Sequence, residues 1–152
     1  MILISHRGNI TGPKKRLENS PYYIDKAIVA GFDVEIDVWV FEDRIMLGHD
    51  FPQYRVDLEW LKIRVENLWV HCKNIESVIY FSKYDSIFSP MIPSFNFFWH
   101  ETDRITLTSK GAIWAYPGNQ PIQGSIAVMP ELNDDDLSDC LGICSDYISN
   151  YR

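Results

Sequence analysis

Within GFDVEIDVWV, residues 31–40, Glu35 and Asp37 interrupt a run of Val, Ile, Phe and Trp that otherwise reads as a buried strand. Side chains alternate across a strand, so the two carboxylates emerge on one face, roughly 6.5 Å apart at the backbone, while Val34, Ile36 and Val38 take the other. Two desolvated carboxylates repel each other unless a cation or a basic partner compensates them. Candidate partners end the neighbouring strand patterns: His6 and Arg7 after MILIS, His49 and Asp50 after RIMLG, and His71 and Lys73 in LWVHCK. Each alone has an ordinary explanation as a hydrogen-bonded strand-end residue. Together they suit metal-assisted phosphoryl transfer. Carboxylates hold a divalent cation, histidines move protons near neutral pH, and Arg and Lys neutralise developing charge.

Such residues need a scaffold that gathers strand ends. Short apolar segments separated by turn chemistry read as strands at 1–6, 32–40, 44–49, 68–73, 95–100, 104–109, 112–117, 125–130 and 142–148. Ser20 as N-cap, Pro21 in the first turn, Ile24, Ala27 and Ile28 at helical spacing and a stop at Gly31 predict a helix between the first two strands. Asp57 caps a second helix carrying Leu58, Leu61 and Val65, and Asn74 a third carrying Ile75, Val78 and Ile79. Asp134, Asp135 and Asp136 read as the capped start of another.

Alternation of strands and helices predicts a parallel sheet with crossover connections. Between residues 100 and 130 the gaps are too short for crossover helices, and TSKGA and PGNQPIQG read as turns. Counting 32–40 and 44–49 as one strand and its extension leaves eight strands. The expected fold is α/β: a compact (β/α) TIM-type barrel, one domain over residues 1–152, with several helices reduced to turns or loops, where such barrels usually need about 250 residues. The polar residues singled out above fall at the C-terminal strand ends, where barrel active sites are built.

Composition narrows the partners. A net charge of -7 repels polyanions, and the one basic block, KKR at 14–16, is too short to track a phosphate backbone, so nucleic acid is excluded. With no run of about 18 apolar residues and no signal-peptide pattern at the start, a cytoplasmic protein without a transmembrane segment is expected. Cys72, Cys140 and Cys144 lack paired metal spacing and read as free thiols. Trp99, His100, Trp114 and Tyr116 fall at strand ends; of these Trp114 is the candidate for stacking on a substrate head group. Trimmed helices would leave apolar surface uncovered, which favours a homodimer.

The set HRGN, LENS, AGFDVEIDV, LGHD and VHCK, in that order, resembles the glycerophosphodiester phosphodiesterase family among the phospholipase-C-like phosphodiesterases. The likeness is most specific over residues 1–50. Beyond residue 74 it is weaker, with AIWAYP similar to the family's Trp-bearing late strand and GICSDYI to its closing strand. The resemblance implies a small-molecule phosphodiester substrate, such as a glycerophosphodiester or a related lipid head group, and one divalent cation, Mg, Ca or Mn. It further implies that His6 and His49 act as general base and general acid, that Glu35 and Asp37 bind the ion, and that Arg7 and Lys73 neutralise charge. Glu18 would orient Arg7 or contact the metal shell. Where the head group is glycerol, family members use its neighbouring hydroxyl as nucleophile and pass through a cyclic intermediate.

One departure stands out. Where the family offers a carboxylate two positions before the Lys, this chain has His71. Either His71 ligates through an imidazole nitrogen, or the metal site is weakened, or Glu131 or Asp50 substitutes. Two alternative functions follow: a sphingomyelinase-D-like phospholipase, and a catalytically inactive phosphate-binding module derived from the family.

Overall fold

The computed structural model describes residues 1–42, 44–88 and 93–152. In chain order the elements are β1 (Ile2–His6), α1 (Pro21–Val29), β2 (Asp33–Phe41), β3 (Arg44–Leu47), β4 (Tyr54–Val56), α2 (Leu58–Ile63), β5 (Leu68–Cys72) and α3 (Ile75–Phe88). There follow β6 (Asn96–Trp99), β7 (Ile105–Leu107), β8 (Ile113–Ala115), β9 (Ile126–Val128) and β10 (Gly142–Ser145), with short 3-10 turns at Pro130–Leu132 and Ile148–Tyr151. The fold is mixed α/β, and the described residues build one ten-stranded sheet.

The alternation in β2 decides how the sheet is used. Val34, Ile36, Val38 and Val40 face outward and are buried against Ile24 and Ala27 of α1, Leu61 of α2 and Phe81 of α3. Each fully buried aliphatic side chain contributes about 1.5–3 kcal/mol, so these helices hold β2 rigidly from behind. Asp57 caps α2 as its sequence predicts, accepting Trp60 N at 2.8 Å. Asn74 accepts Ser77 N at 3.2 Å at the start of α3 and also donates to Val40 O at 2.8 Å, tying that helix to β2. Ser20 stands at the cap of α1, but its hydroxyl makes no hydrogen bond; its carbonyl accepts Tyr23 N and Ile24 N, both at 3.0 Å.

The parallel path through the sheet runs β6-β5-β2-β1-β10-β9-β8. One expected barrel strand and one expected strand extension leave that path. Segment 44–49 is not an extension of β2: β3 folds back antiparallel on it, with Val38 opposite Leu47 and Phe41 opposite Arg44, and β4 pairs antiparallel with β3. Segment 104–109 contributes β7, which pairs antiparallel with β8 because the connection through Gly111 (φ 82) is a tight hairpin, far too short for a crossover. The sheet curls until Ser109 N donates to Phe97 O at 2.7 Å, bringing the β7 end against β6. Among the described residues no ladder joins them, so the complete eight-stranded (β/α) barrel expected from the sequence is not shown.

The aspartates at 134–136 do not start a helix. Asp135 accepts Gly118 N with both oxygens at 3.0 Å and Asp136 accepts Ser138 N at 2.9 Å, so they brace turns. Cys72, Cys140 and Cys144 are free thiols. No helix among the described residues is long and apolar enough to cross a membrane.

Candidate active site

Three neighbouring strands set the inner face. The β1–β2 register places His6 beside Glu35, and the β2–β5 register places Asp37 beside His71. Below this charged layer Ile4, Trp69, Phe98, Trp114, Ile126 and Val128 form an apolar floor. Trp114, with only 1% of its surface exposed, packs with ring centroids 5.6 Å from Trp69 and 4.7 Å from Phe98. It is therefore the bottom of the site rather than part of its rim.

Asp37 is the hub. Its Oδ2 accepts Asn19 Nδ2 at 2.8 Å and lies 2.9 Å from Arg7 Nε, while Asp37 N donates to Asn19 Oδ1 at 2.9 Å. Around Oδ1 lie His71 Nδ1 at 3.0 Å, His49 Nδ1 at 3.2 Å and Lys73 Nζ at 3.7 Å. Burial opposes its charge, but hydrogen bonds from His49 and His71 and the charge of Arg7 prevail and hold the carboxyl well below its ordinary range. Arg7 (φ 55) and Asn19 (φ 61) both adopt the left-handed backbone that non-glycine residues rarely enter. Arg7 N donates to Glu35 O and Asn19 N to Arg7 O, each at 3.0 Å, and these bonds keep both side chains aimed at Asp37.

Glu35 is also buried. Its Oε1 lies 3.6 Å from His71 Nδ1 and its Oε2 3.9 Å from His6 Nε2, and that second oxygen has no hydrogen-bond partner among the described residues. Burial disfavours an imidazolium at His71, yet hydrogen bonds to Asp37 and Glu35 push its pKa up to about 9. On the other ring edge, His71 Nε2 lies 3.3 Å from His100 O. His100 stacks on Tyr116 with centroids 3.7 Å apart, and burial together with the charge of His71 takes its pKa down to about 4.

The two remaining histidines are each oriented by a carboxylate. His6 Nδ1 donates to Asp146 Oδ1 at 2.8 Å, and Asn9 Nδ2 donates to the same oxygen at 2.8 Å. Burial would raise the Asp146 pKa, but His6 and Asn9 bring it below its usual value. His49 turns its Nδ1 to Asp37 and receives Arg7 Nη2 at 3.2 Å on Nε2. Gly48 (φ 147) precedes it at a point where any Cβ would collide with Phe51 O. Glu18 meets Arg7 Nη1 at 3.5 Å and accepts Asn9 Nδ2 at 3.1 Å, so it braces Arg7. His6, Arg7, Glu35, His49, His71 and Lys73 line one cavity of about 380 Å³, closed below by Phe98, Trp114 and Val128 and flanked by Tyr116.

Comparison with protein-family models, curated proteins and solved structures finds no match to this chain.

Of the nine site residues expected from the sequence, seven line this cavity, while Asp37 is buried beneath it and Glu18 stands behind Arg7. Neither suggested replacement for a third carboxylate joins the carboxylate pair. Glu131 accepts Ser145 Oγ at 2.7 Å and Tyr151 Oη at 3.3 Å, and the Asp50 side chain is 83% exposed. Asn9, Asn19 and Asp146 stand within HRGN, LENS and GICSDYI, but the sequence reading gave them no role. The Ser-Asp pair within GICSDYI was the available signal for Asp146, whose partner His6 lies at the opposite end of the chain. Ligand atoms of Glu35, Asp37 and His71 all lie within 4.8 Å of one another. The residues fit a divalent ion: two carboxylates and an imidazole converge, and the unpartnered Glu35 Oε2 is a buried acceptor that such an ion would satisfy. Thiol chemistry does not fit. Cys72 borders the cavity, but burial pushes its pKa up to about 12, leaving an inert thiol.

Proposed function

We propose that this chain cleaves a phosphodiester, on a helix-trimmed (β/α) barrel, by acid–base catalysis with two histidines. The observation that carries this reading is that His6 and His49 each have Nδ1 tied to a carboxylate while both line the cavity that Glu35 borders and beneath which Asp37 is buried. The tie fixes the tautomer, so that in each ring Nε2 is the nitrogen for proton transfer, facing Glu35 in His6 and receiving Arg7 Nη2 in His49. One imidazole takes the proton of the attacking hydroxyl as its oxygen bonds to phosphorus. The other gives a proton to the departing alcohol oxygen as its bond to phosphorus breaks. Arg7, braced by Glu18, and Lys73 supply positive charge for the phosphoryl oxygens. Glu35, Asp37 and His71 would hold a divalent cation, which when bound polarises the phosphoryl group.

A second reading draws on His71. Its Nδ1 faces both carboxylates where a cation would sit, and at a pKa of about 9 it serves as a built-in positive charge, consistent with a phosphate-binding module that uses no metal. A screen of soluble phosphodiesters against Mg, Ca and Mn separates the two. Release of alcohol and phosphomonoester that stops in chelator supports the enzyme; binding of inorganic phosphate without turnover in any metal supports the module.

A further inference from the structure

The basic block KKR has no role in the chemistry above, and its placement gives it one. Arg7 and His49 form a wall with a space on each side. One side is the catalytic cavity; the other is a groove of about 480 Å³ that Lys15, Arg16, Phe51 and Gln53 help to line. A phosphoryl group held at that wall would send one arm of its diester into the aromatic cavity and the other into the groove.

The segment carrying the cations is pinned. Lys14 N donates to Asn9 Oδ1 at 3.0 Å, Leu17 N to Lys14 O at 2.7 Å, and Tyr54 Oη to Arg16 O at 3.2 Å. Lys15 and Arg16 are exposed, and neither makes an ion pair among the described residues. Two carboxylates also border the groove. Glu18 is engaged by Arg7 and Asn9, and Asp50 lies 3.7 Å from His49 Nε2. Arg7 is already paired with Asp37 and Glu18, so Lys15 and Arg16 face only Asp50 and leave an excess of positive charge, in a protein whose net charge is -7. Free cations concentrated beside the reacting position of an acidic protein point to an anionic feature of what binds there.

We propose that this groove is a subsite for a second anionic group, of the phosphomonoester class, carried on one arm of the diester, with Lys15 and Arg16 as its cations. The proposal rests on the phosphodiester reading of the adjoining cavity and narrows its substrate to diesters bearing a further dianion.

The test is equilibrium binding to the full chain in chelator, where turnover does not intervene, with glycerophosphoglycerol and the same diester carrying a terminal phosphomonoester as soluble probes. The phosphorylated probe should bind about tenfold more tightly, the order expected of two solvent-facing charge pairs. A Lys15→Gln, Arg16→Gln double variant, altered only at exposed positions, should lose that margin while binding the plain diester within about twofold of the parent. Lys14→Gln, a neighbouring change that does not line the groove, should keep the margin. Equal binding of the two probes by the parent, including no detectable binding of either, overturns the subsite. So does a margin that survives the double variant, or one that Lys14→Gln removes as fully. Co-sedimentation with phosphatidylglycerol vesicles, without any margin between the soluble probes, also overturns it and assigns the cations to a lipid surface. Turnover is measured separately with metal added. A margin without turnover contradicts the cleavage reading alone, and turnover without a margin contradicts the subsite alone.

Discussion

The two halves of this chain divide the work of one sheet. From β1 to α3 the parallel strands β2 and β5 are backed by helix, β1 packs against the 3-10 turn at Ile148–Tyr151, and the outward Val and Ile side chains of β2 are sealed beneath α1, α2 and α3. That sealed backing lets the inward face of β2 carry two buried carboxylates. From β6 to β10 the crossovers shrink to hairpins and 3-10 turns, and the inward face is aromatic and aliphatic. Desolvated charge needs a fixed set of partners at hydrogen-bond distance, so it sits where the scaffold is best braced; an apolar floor tolerates a looser backing. Asp146 is the exception, a charged residue that the trimmed half sends across β10 and β1 to hold His6.

If this division is right, removing charge from the braced half should cost far more than reshaping the trimmed half. The largest effect is expected for Asp37→Asn. It leaves Arg7, Lys73 and His71 crowded around a neutral amide, and urea denaturation should show a loss of about 3–5 kcal/mol. His6→Ala and His49→Ala should each lower kcat roughly 10² to 10⁴-fold on any diester the parent cleaves, with urea midpoints close to the parent's. Full turnover in both would end the two-histidine mechanism.

Asp146→Asn should act through His6 and cost roughly 10 to 100-fold in kcat, as for other carboxylates that orient a working imidazole. Its pH signature follows from a folded pKa lying below the unfolded value. The stabilisation by Asp146 is complete above the unfolded pKa of about 3.9 and is lost as pH falls through the folded one. Parent and variant thermal midpoints should therefore differ at pH 7 and converge in strong acid. The smallest effect is expected from Trp114→Phe, a change in the floor: about 1–2 kcal/mol in urea, with metal affinity unaltered. A metal affinity that fell with Trp114 would show that floor and charged layer are not separable.

What could be read in advance follows the same division. The strand carrying Glu35 and Asp37, the helices starting at Asp57 and Asn74, and the convergence of His6, His49, His71 and Lys73 were legible because alternation, capping and strand-end placement are local properties. The direction of β7 depended on how one tight turn closes, and β3 read as a continuation because an apolar period of two does not say which way a strand runs. Asn19 was hidden because its role depends on a left-handed backbone that places its amide against Asp37. Asp146 was hidden because β10 lies beside β1 only once the sheet curls.

If the paired carboxylates of β2 form a cation site, calorimetric titration of manganese into the metal-free chain at pH 7.5, read alongside the thermal midpoint, should reveal it. Saturable binding of one ion per chain is expected, with a midpoint that rises with ion concentration and loss of both in Glu35→Gln. Absence of saturable binding, or binding undiminished in Glu35→Gln, would contradict the cation site and leave Arg7, Lys73 and a charged His71 as the compensating cations.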